Sequence, residues 1–424
     1  MGNTVNTGCA ENNALNRRRL LGRAAVVGAA GALTGLAAEG LTTQLAYAEP
    51  GYTGDTMVVL SLRGGFDGLS AIAPIGDSDY YRARPTLALP KSQVIAGDGT
   101  FGLHPALAPL LSMWTGGTLA AVHAVGQSDR TRSHFAAMES MENAVPGSSA
   151  RTGWLDRMLG GTGATGPLAG VSLGNAMPAR LFSGPTPELA MTEIDKFQLA
   201  GDSAQRPMAA ALRSMYADAP DLLAGPARAA DAALTATAPL RSGTYVPANG
   251  ADYPATPLGG ALRDVARLIK AKSGLAAAAV DQGDWDMHDS LGAAVKGQRM
   301  NDNLTALATA LAAFVTDLGP TGMAKVTVVT ISEFGRRVAE NASRGVDHGY
   351  GNAMLLLGGG IRGGKVYTKW PTLAPAALAD GDLAATTDYR SVLGEILQKR
   401  CGFGDLSGVF PGVKPSDFGL AAAR

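Results

Sequence analysis

Two hydrophobic periods alternate along this chain. Thr56–Leu62 (TMVVLSL) is a short apolar run set between Gly54-Asp55 and Gly64-Gly65, the pattern of a strand buried on both faces. Leu119–Val125, Leu168–Leu173, Leu275–Val280, Lys325–Ile331 (KVTVVTI) and Ala353–Leu357 repeat that pattern. Between and after them lie stretches of helical period. These are Pro105–Trp114, with proline at its first position, and His134–Asn143, with Ser133 as N-cap. Pro207–Ala217, Leu258–Ser273, Leu291–Leu318 and Ser391–Lys399 follow, the third stopping at Gly319-Pro320. The alternation predicts an α/β fold with a largely parallel sheet. The Ala/Pro-rich stretch near 218–252 carries weak signals and reads as a surface excursion. No repeat of fixed period is visible.

The N-terminus has a different grammar. Asn16-Arg17-Arg18-Arg19-Leu20-Leu21 is a twin-arginine pattern, an Ala/Gly-rich apolar stretch runs from Ala24 to Ala38, and Ala46-Tyr47-Ala48 is a small-x-small cleavage signature. The expectation is a twin-arginine signal peptide over 1–48, recognised by the Tat export machinery. A single α/β domain over 49–424 then remains, with the excursion near 218–252. The apolar stretch is too short and interrupted for a membrane span, so no stable span is expected after cleavage, and the mature protein is periplasmic or secreted. That route carries folded cargo, which makes a metal site worth looking for.

Composition narrows the function classes. The 424 residues hold 36 Lys+Arg and 36 Asp+Glu, so there is no basic footprint for nucleic acid. Hydrophobic residues make up 46% and charged residues 17%, which excludes disorder. Two cysteines, Cys9 and Cys401, exclude a disulfide-stapled scaffold, and cleavage would leave only Cys401.

Ligands of open α/β sheets bind beyond the carboxyl ends of the strands. Asp67 follows the first strand, in Gly64-Gly65-Phe66-Asp67-Gly68. Ser128–His134 follows the second, and Asp281–Asp289, with Asp286 and His288, follows a later one. Ser332-Glu333-Phe334-Gly335-Arg336 follows Lys325–Ile331, and Asp347-His348-Gly349 precedes the last strand. Of five histidines, His134, His288 and His348 fall in these segments. Carboxylates and imidazoles gathered at strand ends suit a divalent ion such as Zn, Mn, Ca or Mg. The candidate ligands are Asp67, Asp286, His288, Glu333, Asp347 and His348. Asp347 and His348 are adjacent, so one faces the ion and the other supports it. Each has a plain structural alternative: Asp67 as a turn residue, Asp281–Asp289 as a solvated loop, Glu333 as an ion pair with Arg336 or Arg337. His104 and His123 read as structural.

Ser133 opens a helix after a strand, where free N–H groups and the helix dipole favour an anion. Its hydroxyl is the candidate nucleophile, with Thr131 as the neighbour, His134 beside it, and Arg130 and Arg132 as clamps for a tetrahedral anion. The candidate catalytic set is Ser133, Arg132 and His134. No Gly-x-Ser-x-Gly elbow and no Gly-x-x-x-x-Gly-Lys-Ser/Thr loop is present.

Several segments together resemble a bacterial family known as domain of unknown function 1501, whose members carry twin-arginine leaders and lie distantly in the alkaline phosphatase and sulfatase superfamily. They are Leu62–Leu69, Leu103–Leu107, Thr131–Phe135, Asp284–His288, Ser332–Arg336, Asp347–Gly349 with Gly358–Gly360, and Thr387–Leu393. The resemblance implies an alkaline-phosphatase-like mixed sheet between helices, with metals at the strand ends. By it, Asp67 is the carboxylate after the first strand, Ser133 occupies the nucleophile segment, Asp286 and His288 form a metal pair, and Glu333 and His348 complete the set. One departure stands out: Glu333-Phe334-Gly335 occupies the place where phosphatase relatives have Asp-His-Gly.

Two functions follow. One is an exported metal-dependent hydrolase of a phosphate or sulfate ester, acting on a small anionic substrate through Ser133 or an activated water. The other is a non-catalytic envelope protein binding an anionic ligand on the same fold.

Overall fold

Strand β1 (Thr56–Leu62) alternates its side chains between two cores. Val58, Leu60 and Leu62 join one, Met57 and Val59 the other. Every second residue of a strand faces the same side, so a continuous apolar run such as TMVVLSL requires cover on both faces. Helices Pro257–Lys270 and Arg299–Met323 supply one cover and helices Trp154–Thr162 and Tyr389–Arg400 the other.

The structure is a computed structural model describing residues 52–146, 150–164, 166–203, 205–414 and 416–424. The leader expected over 1–48 lies outside the described residues. After β1 come β2 (Ile72–Ala73), β3 (Gly102–Leu103), β4 (Leu119–Gly126), β5 (Gly170–Leu173), β6 (Leu189–Met191), β7 (Ala277–Gln282) and β8 (Val326–Ile331). Then follow β9 (Asn352–Gly358), β10 (Val366–Tyr367) and β11 (Thr387–Asp388). Among the described residues the main sheet has nine strands, in the order β10-β4-β9-β8-β1-β7-β5-β6, with β11 also on β4. β9 runs antiparallel to β4 and β8, and every other pairing in this sheet is parallel. This is the mixed, largely parallel sheet between helices that the sequence implies. β2 and β3 form a separate antiparallel pair.

Residues 201–231 pack as a compact unit of their own, with Arg213 paired to Asp231 at 2.7 Å. The rest of the described chain forms the main unit.

Several boundaries differ from the sequence reading. Pro105–Trp114 is a 3-10 turn, Pro105–Leu110, running into a short α-helix, Leu111–Thr115, because Pro109 interrupts the α pattern. The weakly signalled stretch near 218–252 holds a helix, Asp221–Arg241. The helix expected over Leu291–Leu318 begins only at Arg299, since Ser290 and Leu291 donate their N–H groups to Ser343 and Arg344 carbonyls. It breaks at Gly319 (φ 62°) and resumes for one turn to Met323. Among the described residues this helix alone is long and apolar enough to cross a membrane, and 56% of its most apolar stretch is buried inside the protein.

His104 and His123 are fully buried. His104 Nδ1 accepts the Ala106 N–H at 3.1 Å; His123 Nδ1 accepts that of Ala124 at 2.8 Å while its Nε2 donates to the Ile72 carbonyl at 3.1 Å. Burial lowers both pKa values to about 4. An unfolded histidine takes up its proton near pH 6.5, so the unfolded state binds more protons between these values. Their contribution to stability is complete above about pH 6.5 and lost as pH falls toward 4, by up to about 3 kcal/mol each. Calorimetric melts across that range should show a steep fall in Tm, and His123→Gln should flatten it.

Candidate metal centre

The site forms where five strands, β1, β4, β7, β8 and β9, deliver their following or preceding loops to one end of the sheet. β1 ends in Gly64 and Gly65, both with positive φ (114° and 70°). A Cβ on Gly64 would lie 2.6 Å from the Asp286 nitrogen, and one on Gly65 2.6 Å from the Phe334 ring. Only glycine permits this approach. It brings the β1 turn beneath the loops after β7 and β8, and the Gly64 N–H donates to Glu333 Oε1 at 2.8 Å.

Arg336, buried at 1% exposure, ties the same loops together. Its guanidinium donates to the carbonyls of Gly65 (2.6 Å), Val346 (2.9 Å), Trp285 (3.0 Å) and Gly64, and to Asp286 Oδ1 (2.7 Å). Burial pushes the Asp286 carboxyl up, but Arg336, His348 and His288 outweigh it and hold the pKa at about 2. The carboxylate is thus charged at any physiological pH.

Three imidazoles meet beside that carboxylate. His348 Nε2 lies 3.0 Å from His134 Nε2 and 2.9 Å from His288 Nε2. Asp286 Oδ1 lies 3.0 Å from His288 Nε2 and 3.2 Å from His348 Nε2, and its Oδ2 lies 3.6 Å from His134 Nε2. The outer nitrogens are all engaged. His134 Nδ1 is 2.7 Å from Glu333 Oε1, His288 Nδ1 is 2.8 Å from Asp347 Oδ1, and His348 Nδ1 is 2.9 Å from the Arg132 carbonyl. Carboxylates and carbonyls only accept, so each Nδ1 carries the proton and each Nε2 presents a lone pair. His134 Nε2, His348 Nε2 and an Asp286 oxygen lie within 4.8 Å of one another, and lone pairs and a carboxylate so placed repel unless a cation lies between them. The donor set therefore fits a divalent ion. Zn–N bonds of about 2.0–2.1 Å would put tetrahedral ligand nitrogens roughly 3.4 Å apart, a few tenths of an ångström wider than here. Imidazoles whose far N–H is held by a carboxylate or carbonyl are the usual support of such a site.

The sequence candidates thus divide. Asp286 and His348 come together with His134, expected as a catalytic neighbour, and His288 lies against His348 and Asp286. Glu333 and Asp347, expected as ligands, instead hold His134 and His288. Ser332 donates to Glu333 Oε2 at 3.1 Å and Asn341 to Asp347 Oδ1 at 3.1 Å. Glu333 does not pair with Arg336 or Arg337; the imidazole takes it. Asp67, expected at the ion, is buried and accepts from Arg84 at 2.6 and 3.0 Å and from Ser70 at 2.5 Å. Arg132 points its guanidinium at Asp382 (2.6 Å) and contributes to the site through its carbonyl. Ser133 is exposed, and its hydroxyl makes no cap bond to helix His134–Asn143. Arg336 is the residue the sequence reading undervalues: its place directly after Glu333-Phe334-Gly335 was a signal for a strand-end role, but nothing local shows that it binds four carbonyls from distant loops.

A segment set of this kind marks a known lineage. The sequence profile described as "Protein of unknown function (DUF1501)" matches residues 55–394, most of the chain. The chain belongs to this family. No curated protein matches this DUF1501 sequence. Among solved structures, the C-terminal periplasmic domain of EptC from Escherichia coli is similar at 10% identity and a TM-score of 0.39, covering 87% of this chain and 90% of that one. A complex of the same domain with Zn matches at 9% identity and a TM-score of 0.34, covering 73% and 75%. The lipoteichoic acid synthase LtaP from Listeria monocytogenes matches at 10% identity and a TM-score of 0.33, covering 79% and 74%.

Proposed function

We propose that this DUF1501 protein is an exported, metal-dependent hydrolase of a phosphate or sulfate ester. The observation that carries the reading is the gathering of His134 Nε2, His348 Nε2 and the Asp286 carboxylate within 4.8 Å of one another, with His288 Nε2 against His348 and Asp286 and each imidazole fixed from behind. A divalent ion held by His134, His348 and Asp286, with His288 beside them, would act as a Lewis acid toward charge developing at phosphorus or sulfur. Its identity falls among Zn, Mn, Ca and Mg, and the imidazole ligands favour Zn.

The chain's own residues do the rest. Glu333, Asp347 and the Arg132 carbonyl hold the imidazole protons on Nδ1. Arg336 keeps Asp286 ionised and in place. Ser133, directly before the ligand His134 and free of a cap bond, offers its hydroxyl as nucleophile toward a small anionic substrate. Export is supported by Asn16–Leu21 and Ala46–Ala48, through the Tat machinery to the periplasm or beyond.

The test is elemental analysis of the protein purified after native export, with p-nitrophenyl phosphate and p-nitrophenyl sulfate as probes. The expected result is one or two bound ions, hydrolysis abolished by chelator and restored by a divalent ion, and hydrolysis abolished in Ser133→Ala. Absence of any stoichiometric metal would overturn the reading and favour a non-catalytic ligand-binding protein.

A further inference from the structure

The metal centre draws on segments far apart in sequence, and one buried side chain outside them ties three together. Gln127 is the first residue after β4 and is 8% exposed. Its Nε2 donates to the Ala137 carbonyl at 3.1 Å and to the Glu333 carbonyl at 3.0 Å. Its own backbone carbonyl accepts the Tyr350 hydroxyl at 2.8 Å. Ala137 lies in the first turn of the helix that His134 opens, Glu333 is the acid on His134 Nδ1, and Tyr350 follows His348 by two residues.

The orientation of the Gln127 amide is fixed by its partners. Both neighbours of Nε2 are carbonyl oxygens, which only accept, so a flipped amide would set oxygen against oxygen. The other end, Oε1, is buried and meets no hydrogen-bond partner. An unpaired buried oxygen costs stability. The side chain shares a cavity with Val125, Met141, Met354 and Tyr389, where a methionine would fill the same space and strand no oxygen. A local rule broken without local gain marks a position kept for a site. Both bonds that the amide does make lead to the metal centre.

Neighbouring contacts divide the labour. Asn352 donates to the Phe334 carbonyl at 2.8 Å, and the Phe66 N–H donates to Ser332 Oγ at 2.9 Å. These hold the loop after β8 to β9 and to the β1 turn. Apart from the His134–Glu333 pair itself, only Gln127 among the described side chains hydrogen-bonds both that loop and the helix of His134. One planar NH2 group thus fixes an imidazole and the acid behind it relative to each other.

We infer that Gln127 is a positioning residue of the metal centre. Its amide sets the His134 helix and Glu333 in register, so that His134 Nδ1 stays on its acid and Nε2 stays beside His348. Its carbonyl, through Tyr350, holds the His348 segment to the same point. Gln127 touches no ion itself. This inference rests on the metal-dependent reading above.

The test uses the full exported protein. Zinc affinity is read by competition with a chelator, and ligand geometry by the visible absorption bands of bound Co2+. Gln127→Met keeps the side-chain length and loses both donors. It should lower zinc affinity by about 10-fold, the low end of the loss usual when an imidazole's support is disturbed. The Co2+ bands should shift or weaken, with the melting point of the metal-free protein little changed. On a Glu333→Leu background the same change should cost less than about 2-fold, because the pair whose register it sets is gone. Tyr350→Phe leaves the amide intact, frees only the Gln127 carbonyl, and should lower zinc affinity by about 2- to 5-fold; it decides the question if Gln127→Met does not fold. Unchanged zinc affinity in a folded Gln127→Met protein or in Tyr350→Phe, or an equal loss with and without Glu333, overturns this inference and leaves the metal reading standing. So does a loss that tracks a lower metal-free melting point with an unchanged Co2+ spectrum, which would make Gln127 a packing residue. A protein that binds no zinc overturns the metal reading and this one with it.

Discussion

The Asp286→Ala/His288→Ala protein is expected to retain no stoichiometric ion and to lose ester hydrolysis with it. A structural zinc site of four ligands is worth about 10–16 kcal/mol, roughly 3 kcal/mol for each ligand. Removing two therefore lowers affinity by about 6 kcal/mol, on the order of 10⁴-fold. The fold should survive, because both side chains are nearly half exposed, at 47% and 43%, and little packing is lost. Arg336 keeps its four carbonyl acceptors when Asp286 goes. Elemental analysis beside a thermal melt separates the outcomes. A double variant that is folded, metal-loaded and active would mean that the ion, if any, is held elsewhere.

The second large effect is on stability. Arg84→Met should cost about 3–5 kcal/mol, the usual penalty for stranding one partner of a buried ion pair. Arg84 is fully buried and donates to both Asp67 oxygens, to Ser70 Oγ at 3.0 Å, and to the Val338 and Arg337 carbonyls at 2.9 Å each. Burial pushes the Asp67 carboxyl up, and Arg84 more than reverses it, so the folded pKa lies below the unfolded one. The pair's contribution is thus present above the unfolded carboxylate pKa of about 3.9 and is lost as pH falls through the lower folded value. In Arg84→Met the same carboxylate loses its cation, its folded pKa rises, and it takes up a proton on folding at moderately acid pH. The deficit should therefore be largest at neutral pH and shrink on acidification. Urea midpoints at pH 7 and pH 5 read both statements; a deficit under about 1 kcal/mol, or one that grows with acid, would contradict them.

Much of the architecture is legible in the sequence. β1 is outlined by its glycine borders, and β4, β8 and β9 by mostly apolar runs, because a strand covered on both faces leaves few polar positions. The short strands β6, β10 and β11 have two or three residues each and no period to detect. Their pairing depends on distant neighbours. At the site, the segments are visible but the roles inside them are not. Asp347-His348 predicts that one residue of two faces the site, and in the structure His348 Nε2 meets Asp286 and the other imidazoles while Asp347 holds His288. Glu333 and Asp67 look alike in sequence, each an acid after a buried strand. What separates them is a cationic partner from another loop: Arg84 takes Asp67, while Glu333 is left for His134. His134 itself reads as the first residue of a helix beside a nucleophile, and nothing local indicates that its Nε2 meets a ring 214 residues away.

The antiparallel strand β9 gives the assembly a timing. His134 follows β4, His348 precedes β9, and the two strands are neighbours because β9 inserts between β4 and β8. Until that insertion, the two imidazoles are separated by 214 residues of chain and form no shared pocket. Capture of an ion there is therefore expected late in folding, gated by the long-range closure of β9 on β4. A metal added during refolding should leave the early kinetic phases untouched and act on the last one.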